Sequence, residues 1–296
     1  MNLKRVRSLR RAIDLDREMQ IRRLAYRAIP VASRSEFSSV VHITVFKAAS
    51  QWVRIVLSDP RMYRYSGLLP YTLGGPHELS AHPHRYPIPG RSMVLTVYAS
   101  RETFDTIPKP QNWRVIVVVR DLLDLLVSWH FSMRYTHPLN DWVARRRWLM
   151  DGLPEDEALM ITIDEFQEIN DLLLPWLDAN DDPRVRFYRY EDLTGDHSYE
   201  TWVRLCQDAG IAVPERSLQR VLHDYRQENF RGSKASGDRM RNKYGSGKPG
   251  SWPDVLTDEH VEKIQEKYPA LMAAYYDRFL ATAPVGRWTV VDGGTA

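Results

Sequence analysis

Cysteine is almost absent from this chain of 296 residues, with Cys206 the only one. A lone thiol excludes an intrachain disulfide and a zinc site built on cysteines. It also points to a reducing, cytoplasmic compartment. No apolar run is long enough to span a membrane, and the basic N-terminus carries no apolar segment of the kind a signal peptide needs. Internal repeats and low-complexity stretches are missing too. With 43% hydrophobic and 11% aromatic residues, the composition argues against disorder and supplies a sizeable core, for one large domain or two small ones.

Charge is unevenly placed. Residues 1–27 carry nine basic side chains against Asp14, Asp16 and Glu18, a local +6 that leaves −3 for the rest of a chain whose net charge is +3. A basic helix over residues 1–30 can make peripheral contact with an anionic membrane surface. The plainer expectation is a solvated helix packed on the body through Leu9, Ile13, Ile21 and Leu24. No nucleic-acid partner is expected, and the oligomeric state is not legible.

The stretch Val40–Leu57 organises the rest of the chain. A β-branched run ends at Phe46-Lys47, small and polar residues come next, and helical spacing resumes from Trp52. This predicts strand, tight loop and helix. The free N–H groups at such a helix start favour an anion. Lys47 adds a point charge, and Ser50 is placed to cap the helix. A Walker A loop needs glycines before its lysine, and here none is present, so a standard ATP or GTP site is not expected. Trp113–Val119 is nearly all apolar and predicts a strand buried on both faces of a parallel sheet. Arg120 ends it, and a helix is predicted over 121–134 with Ser128 two turns in. Arg120 and Ser128 can grip a second phosphate; the alternative pairs Arg120 with Asp121 or Asp124.

Further on, 141–180 predicts one or two helices, 184–190 a strand, and 215–228 a helix. A basic, glycine-rich loop spans Arg231–Trp252, and a last helix covers about 258–280. Strands alternating with helices imply an α/β fold around a mostly parallel sheet, with ligands at the carboxyl ends of the strands. The long stretch 61–92, rich in Tyr, Pro, Gly and His, is expected to line an acceptor pocket through Tyr63, Tyr65, Tyr71, His77, His82, His84 and Tyr86. Arg145-Arg146-Arg147 reads as a solvated helix face, or as an attraction for an acidic polymer.

Taken together these segments resemble the cytosolic and Golgi-type sulfotransferase family. The 5′-phosphate loop of that family, P-K-S-G-T-T-W, is similar to Phe46-Lys47-Ala48-Ala49-Ser50-Gln51-Trp52. Its 3′-phosphate motif, R-D-P-R-D-V-x-V-S-Y-Y-H-F, is matched by Arg120 through Phe131, with the spacing to Ser128 kept. Its F-Y-E-D-L is matched by Arg189-Tyr190-Glu191-Asp192-Leu193. Its R-K-G-x-x-G-D-W motif is partly matched by Gly245 through Trp252, with Thr257 beyond. The four motifs stand in family order. Ala49 replaces the loop glycine, Leu122 the proline, and Gly245-Ser246 the Arg-Lys pair.

The resemblance implies a P-loop-NTPase-like sulfotransferase fold and transfer of a sulfuryl group from 3′-phosphoadenosine 5′-phosphosulfate (PAPS), leaving PAP, to a hydroxyl or amine of a small molecule or glycan. It assigns Lys47, Ala48, Ala49, Ser50 and Gln51 to the 5′ phosphate, with Lys47 also stabilising the leaving group. Arg120 and Ser128 go to the 3′ phosphate, Trp52, Tyr190 and Phe230 to the adenine, and Gly247, Lys248 and Gly250 to a donor lid. No metal is assigned. Many members use a histidine after the second strand as general base. Residues 97–103 contain none, so Glu102 is the first candidate, followed by His82 and His84. His130 stands where a non-catalytic histidine is common, and His42 reads as a core residue. The implied arrangement is one domain over 31–285 with a tail at 286–296. Rival readings are a member that binds nucleotide or polysaccharide without turnover, and a nucleotide-dependent phosphoryltransferase.

Overall fold

The computed structural model describes residues 24–178, 182–225 and 249–279. Five parallel strands form its sheet: β1 (Ser39–Thr44), β2 (Leu69–Tyr71), β3 (Ser92–Val97), β4 (Trp113–Val119) and β5 (Val185–Arg189). Their spatial order is β2-β3-β1-β4-β5. The chain winds to one side of β1 for β2 and β3, then crosses to the other for β4 and β5. The crevice between β1 and β4 is therefore the switch point of the sheet, and its carboxyl end is where such folds bind ligands.

The continuous apolar runs have the reason the sequence suggests. Val115, Val117 and Val119 of β4 enter one core with Val41 and Ile43 of β1, while Ile116 and Val118 enter a second core with Val40 on the opposite face. Helices Leu122–Phe131, Gln167–Asp178 and Pro269–Phe279 contribute to the first core, and Ser50–Leu57 and Ser198–Asp208 to the second. Fully burying each of these Val and Ile side chains stabilises the fold by roughly 1.5–3 kcal/mol. Cys206 lies inside the second core, where burial pushes its thiol up to about 12.

Several expectations change. Residues 141–178 hold three helices, Asp141–Leu149, Glu155–Asp164 and Gln167–Asp178, where one or two were expected. The last helix is two, Asp258–Lys267 and Pro269–Phe279, because Pro269 cannot continue the first. The stretch 61–92 supplies β2 at the sheet edge and a helix at Pro76–Ala81. Arg146 and Arg147 do not form a solvated face. Arg146 is buried, pairs with Glu165 at 2.8 Å and covers the Trp142 ring at 3.6 Å, and Arg147 donates to the carbonyls of Met133 and His137. Of the basic N-terminal helix, only a turn at 24–27 falls in the described residues. Leu24 is exposed there rather than packed; Tyr26 makes the contact instead, its ring edge against Tyr63 and its hydroxyl donating to the Ser58 carbonyl. Among the described residues, no helix is long and apolar enough to cross a membrane.

Candidate active site

A cavity of about 430 Å³ opens at the switch point, within the size range of small-ligand sites. Its walls include Lys47, Ala49, Ser50, Gln51 and Trp52 from the loop after β1, Arg120 and Ser128 from the segment after β4, and Tyr190 after β5. Eight of the residues singled out from sequence are thus brought together by three strand ends.

The loop after β1 has an unusual backbone. Lys47 and Ala49 both have positive φ, 68° and 56°, a region that disfavours side chains. Ala49 is the N-cap of the helix Ser50–Leu57, and no side chain caps that helix. Its first N–H groups are therefore left for a ligand, together with the positive end of the helix dipole. Ser50 does not serve as the cap, because it is already the first helical residue. Its hydroxyl shares a hydrogen bond with the Tyr98 hydroxyl at 2.8 Å. Ala48 is fully buried in the core behind the loop and does not line the cavity. Trp52 donates its indole N–H to the Tyr225 carbonyl at 2.6 Å and meets Trp202 edge-on.

Arg120 is 5% exposed; its charge acts on Asp124, yet neither Asp121 nor Asp124 forms an ion pair or hydrogen bond with it. Its guanidinium lies over the Tyr190 ring at 5.0 Å, and Nη1 reaches the Lys47 carbonyl at 3.5 Å. Its buried Nε has no hydrogen-bond partner among the described residues. A buried cation with a spare donor and no carboxylate fits an anionic ligand. The two aspartates are engaged elsewhere. Asp121 caps the helix Leu122–Phe131 by accepting the N–H groups of Leu123 and Asp124. The Asp124 carboxylate accepts the N–H of Gly250 at 2.6 Å and of Trp252 at 3.0 Å. Burial, and then the charge of Asp121, raises the Asp124 carboxyl above the usual range. Glu191 accepts the Asp121 N–H at 3.0 Å, so the Tyr190-Glu191 segment is tied to the start of the Arg120 motif.

Phe230, Gly247 and Lys248 lie outside the described residues, and Gly250, held by Asp124, does not line the cavity. Glu102 and His82 are not brought to the cavity: Glu102 is exposed in the first turn of the helix Arg101–Thr106, and His82 and His84 are exposed with ring centroids 6.2 Å apart. None of the tyrosines and histidines of 61–92 lines it. His42 is fully buried, and burial lowers its imidazole to about 3. His130 is also buried, between Thr162 and Glu155 at 2.7 Å from each.

The remaining wall comprises Phe46, Tyr98, Trp129, Met133 and His137. Phe46 and Trp129 adjoin motif residues and could have been named from that position. Trp129, Met133 and His137 recur at intervals of four, a helical signal visible in the sequence. Tyr98 arrives by a different route. The pairing of β1 with β3 slips by one residue between Val41↔Val94 and Ile43↔Val97, and Thr96 has φ 58°. Such a bulge re-aims the side chains beyond it. Burial raises the Tyr98 phenol, opposed by its hydrogen bonds to Ser50 and Gln51.

A family model described as "Sulfotransferase domain" matches residues 81–275, about two thirds of the chain. The match begins downstream of the Lys47 loop. Among solved structures, mouse sulfotransferase SULT7A1 complexed with PAP is similar over 84% of this chain and 88% of its own, at 15% identity and a TM-score of 0.53. That likeness shows the fold. Retinol dehydratase in complex with androsterone and the inactive cofactor PAP covers 79% of this chain and 80% of its own, at 16% identity and a TM-score of 0.43. No curated protein matches the sequence significantly.

Proposed function

The chain belongs to the sulfotransferase-domain family, and from that premise we propose that it moves a sulfuryl group from PAPS to a hydroxyl or amine of a small-molecule or carbohydrate acceptor. The observation that carries this reading is that two separate groups suited to anions line one cavity. One is the uncapped helix start beside Lys47; the other is buried Arg120 beside Ser128, with no ion-paired carboxylate among the described residues. Two seats suit a nucleotide with both a 5′ and a 3′ phosphate. A mononucleotide or a Walker-type triphosphate would leave Arg120 without its anion.

In this reading Lys47 and the N–H groups of Ser50 and Gln51 face the 5′ end and stabilise the negative charge that develops on the bridging oxygen. Such electrostatic stabilisation is commonly the largest single contribution to a rate. Arg120 and Ser128 hold the 3′ phosphate and fix the register of the donor. Trp52 and Tyr190 flank the adenine. Gly247, Lys248 and Gly250 are assigned to the donor, as the resemblance implies. A single domain over 31–285 and a cytoplasmic setting complete the proposal, the latter supported by the one buried thiol.

The test incubates the full chain with radiolabelled PAPS and a panel of phenols, sterols and sugars, and monitors label transfer and PAP formation. Transfer to at least one acceptor is expected, together with PAP binding by calorimetry. Lys47→Ala is expected to lower kcat by ~10²- to 10³-fold. Failure of PAP to bind at high concentration would overturn the reading. Binding without transfer to any acceptor would identify a nucleotide-binding member without turnover.

A further inference from the structure

The cavity has a wall that the nucleotide seats do not use. Tyr98 stacks on Phe46 with ring centroids 4.4 Å apart, and Phe46 packs on Trp129 at 5.1 Å. Trp129 meets Trp142 edge-on at 5.5 Å, and Trp142 meets His137 at 6.3 Å. Of this series Phe46, Tyr98, Trp129 and His137 line the cavity, with Met133. The helix Leu122–Phe131 widens into a π turn over Ser132–Thr136, and His137 is the residue at its end. Turns of this kind occur often at functional sites.

His137 is held in place. Its backbone N–H donates to the Ser132 carbonyl at 2.7 Å, and its own carbonyl accepts from Arg147 Nη2 at 2.8 Å. Its Nδ1 lies 3.1 Å from the Pro138 carbonyl oxygen. A carbonyl can only accept, so in the neutral ring Nδ1 carries the proton and Nε2 keeps its lone pair. Among the described residues that line the cavity there is no carboxylate and no other histidine. Lys47 and Arg120 are cations with anions to hold, and the Tyr98 phenol is raised by burial and stays neutral.

We propose that His137 is the general base of the transfer, and that the aromatic wall seats a flat acceptor whose hydroxyl it deprotonates. This inference rests on the sulfotransferase reading above. The acceptor oxygen forms a bond to sulfur as the bond from sulfur to the bridging oxygen breaks. The electron pair leaves with the 5′ phosphate of PAP, and the acceptor proton passes to Nε2 of His137 and then to solvent. The net products are a sulfate ester, PAP and one proton.

The test uses the full chain, PAPS and two phenols of similar size: 4-methylphenol, which keeps its proton in mildly alkaline buffer, and 4-nitrophenol, which is largely ionised there. A base matters for the first and hardly for the second. His137→Gln is expected to lower kcat/KM by ~10²- to 10³-fold with 4-methylphenol and by less than about five-fold with 4-nitrophenol. PAP affinity is expected to stay unchanged, and free imidazole is expected to restore part of the rate to His137→Ala. Equal losses with both phenols, or full activity, would overturn the proposal. So would the acceptor-dependent loss appearing in Glu102→Gln instead, or sulfation of other acceptors while neither phenol is turned over. Failure of PAP to bind would instead strike the sulfotransferase reading itself.

Discussion

The carboxylate of Asp124 holds the backbone of Gly250, at 2.6 Å and across 126 residues of sequence. Gly250 has φ +72°, and among the described residues nothing lies within 4 Å of where its Cβ would be, so backbone conformation rather than crowding favours glycine there. Through this contact the segment after β4 and the C-terminal motif share one anchor. Asp124→Ala leaves two N–H groups, those of Gly250 and Trp252, without their acceptor. Loss of about 1–3 kcal/mol of stability is expected in urea unfolding, with weaker PAP binding in calorimetry. An Asp124→Ala chain that binds PAP as tightly as the wild type would show that the anchor does not serve the donor.

Arg120 should read the 3′ phosphate specifically. Arg120→Ala is expected to weaken PAP binding by roughly 10- to 100-fold, the range for a charged hydrogen bond. The affinity for adenosine 5′-monophosphate, which has no 3′ phosphate, should change little. Titration of both nucleotides against both proteins gives the comparison directly. Equal losses for the two ligands would place Arg120 elsewhere on the nucleotide.

Ala49 sits where a glycine relaxes the backbone. An L-residue in the left-handed region is strained by roughly 1–2 kcal/mol, so Ala49→Gly is expected to raise stability by about 1 kcal/mol after the glycine's own entropy is discounted. The loop glycine that is common in the family would thus be tolerated here. Thermal unfolding of Ala49→Gly and of Ala49→Val, which should be destabilised, brackets the effect.

His42 makes stability fall in acid. Its folded imidazole is lowered to about 3 by burial, against 6.5 in the unfolded chain. The unfolded state therefore binds the proton first as pH falls below 6.5, and stability is lost progressively from there down to about 3. Wild type should lose about 2 kcal/mol more than His42→Leu between pH 7 and about pH 5. Urea unfolding of the two proteins at both pH values isolates this contribution from that of the carboxylates.

What could be read in advance was whatever a local pattern encodes. The run Trp113–Val119 announced a strand buried on both faces, and Arg120 at its end and Ser128 two turns on reached the cavity as expected. Lys47, Ala49, Ser50 and Gln51 did so as well, whereas Ala48 did not. Two of the misses depend on contacts between segments far apart in sequence, and two on local turns of the backbone. The bulge that delivers Tyr98 arises from how β3 registers on β1, which neither strand specifies alone. Asp124 looked like a partner for Arg120 because the two are near in sequence, yet its acceptor capacity is taken by Gly250 and Trp252. Glu102 was favoured by its place after β3, but the helix carrying it turns that residue to solvent. His137 lies beyond the helix that the sequence predicts over 121–134, at the end of a π turn that no local pattern announces.

The ladder between β1 and β4 pairs Thr44 with Val118. Lys47 stands three residues after one strand's member of that pair, and Arg120 two residues after the other. The span between the two cations is accordingly a caliper whose jaws are set by backbone hydrogen bonds, not by loop side chains. A slip of one residue in that ladder would displace one jaw by about 3.3 Å and turn its strand's side chains to the opposite face. The loop around Ala49 is free to drift in sequence as long as the caliper keeps its opening, and a departure such as Ala49 is compatible with the two-phosphate site proposed above.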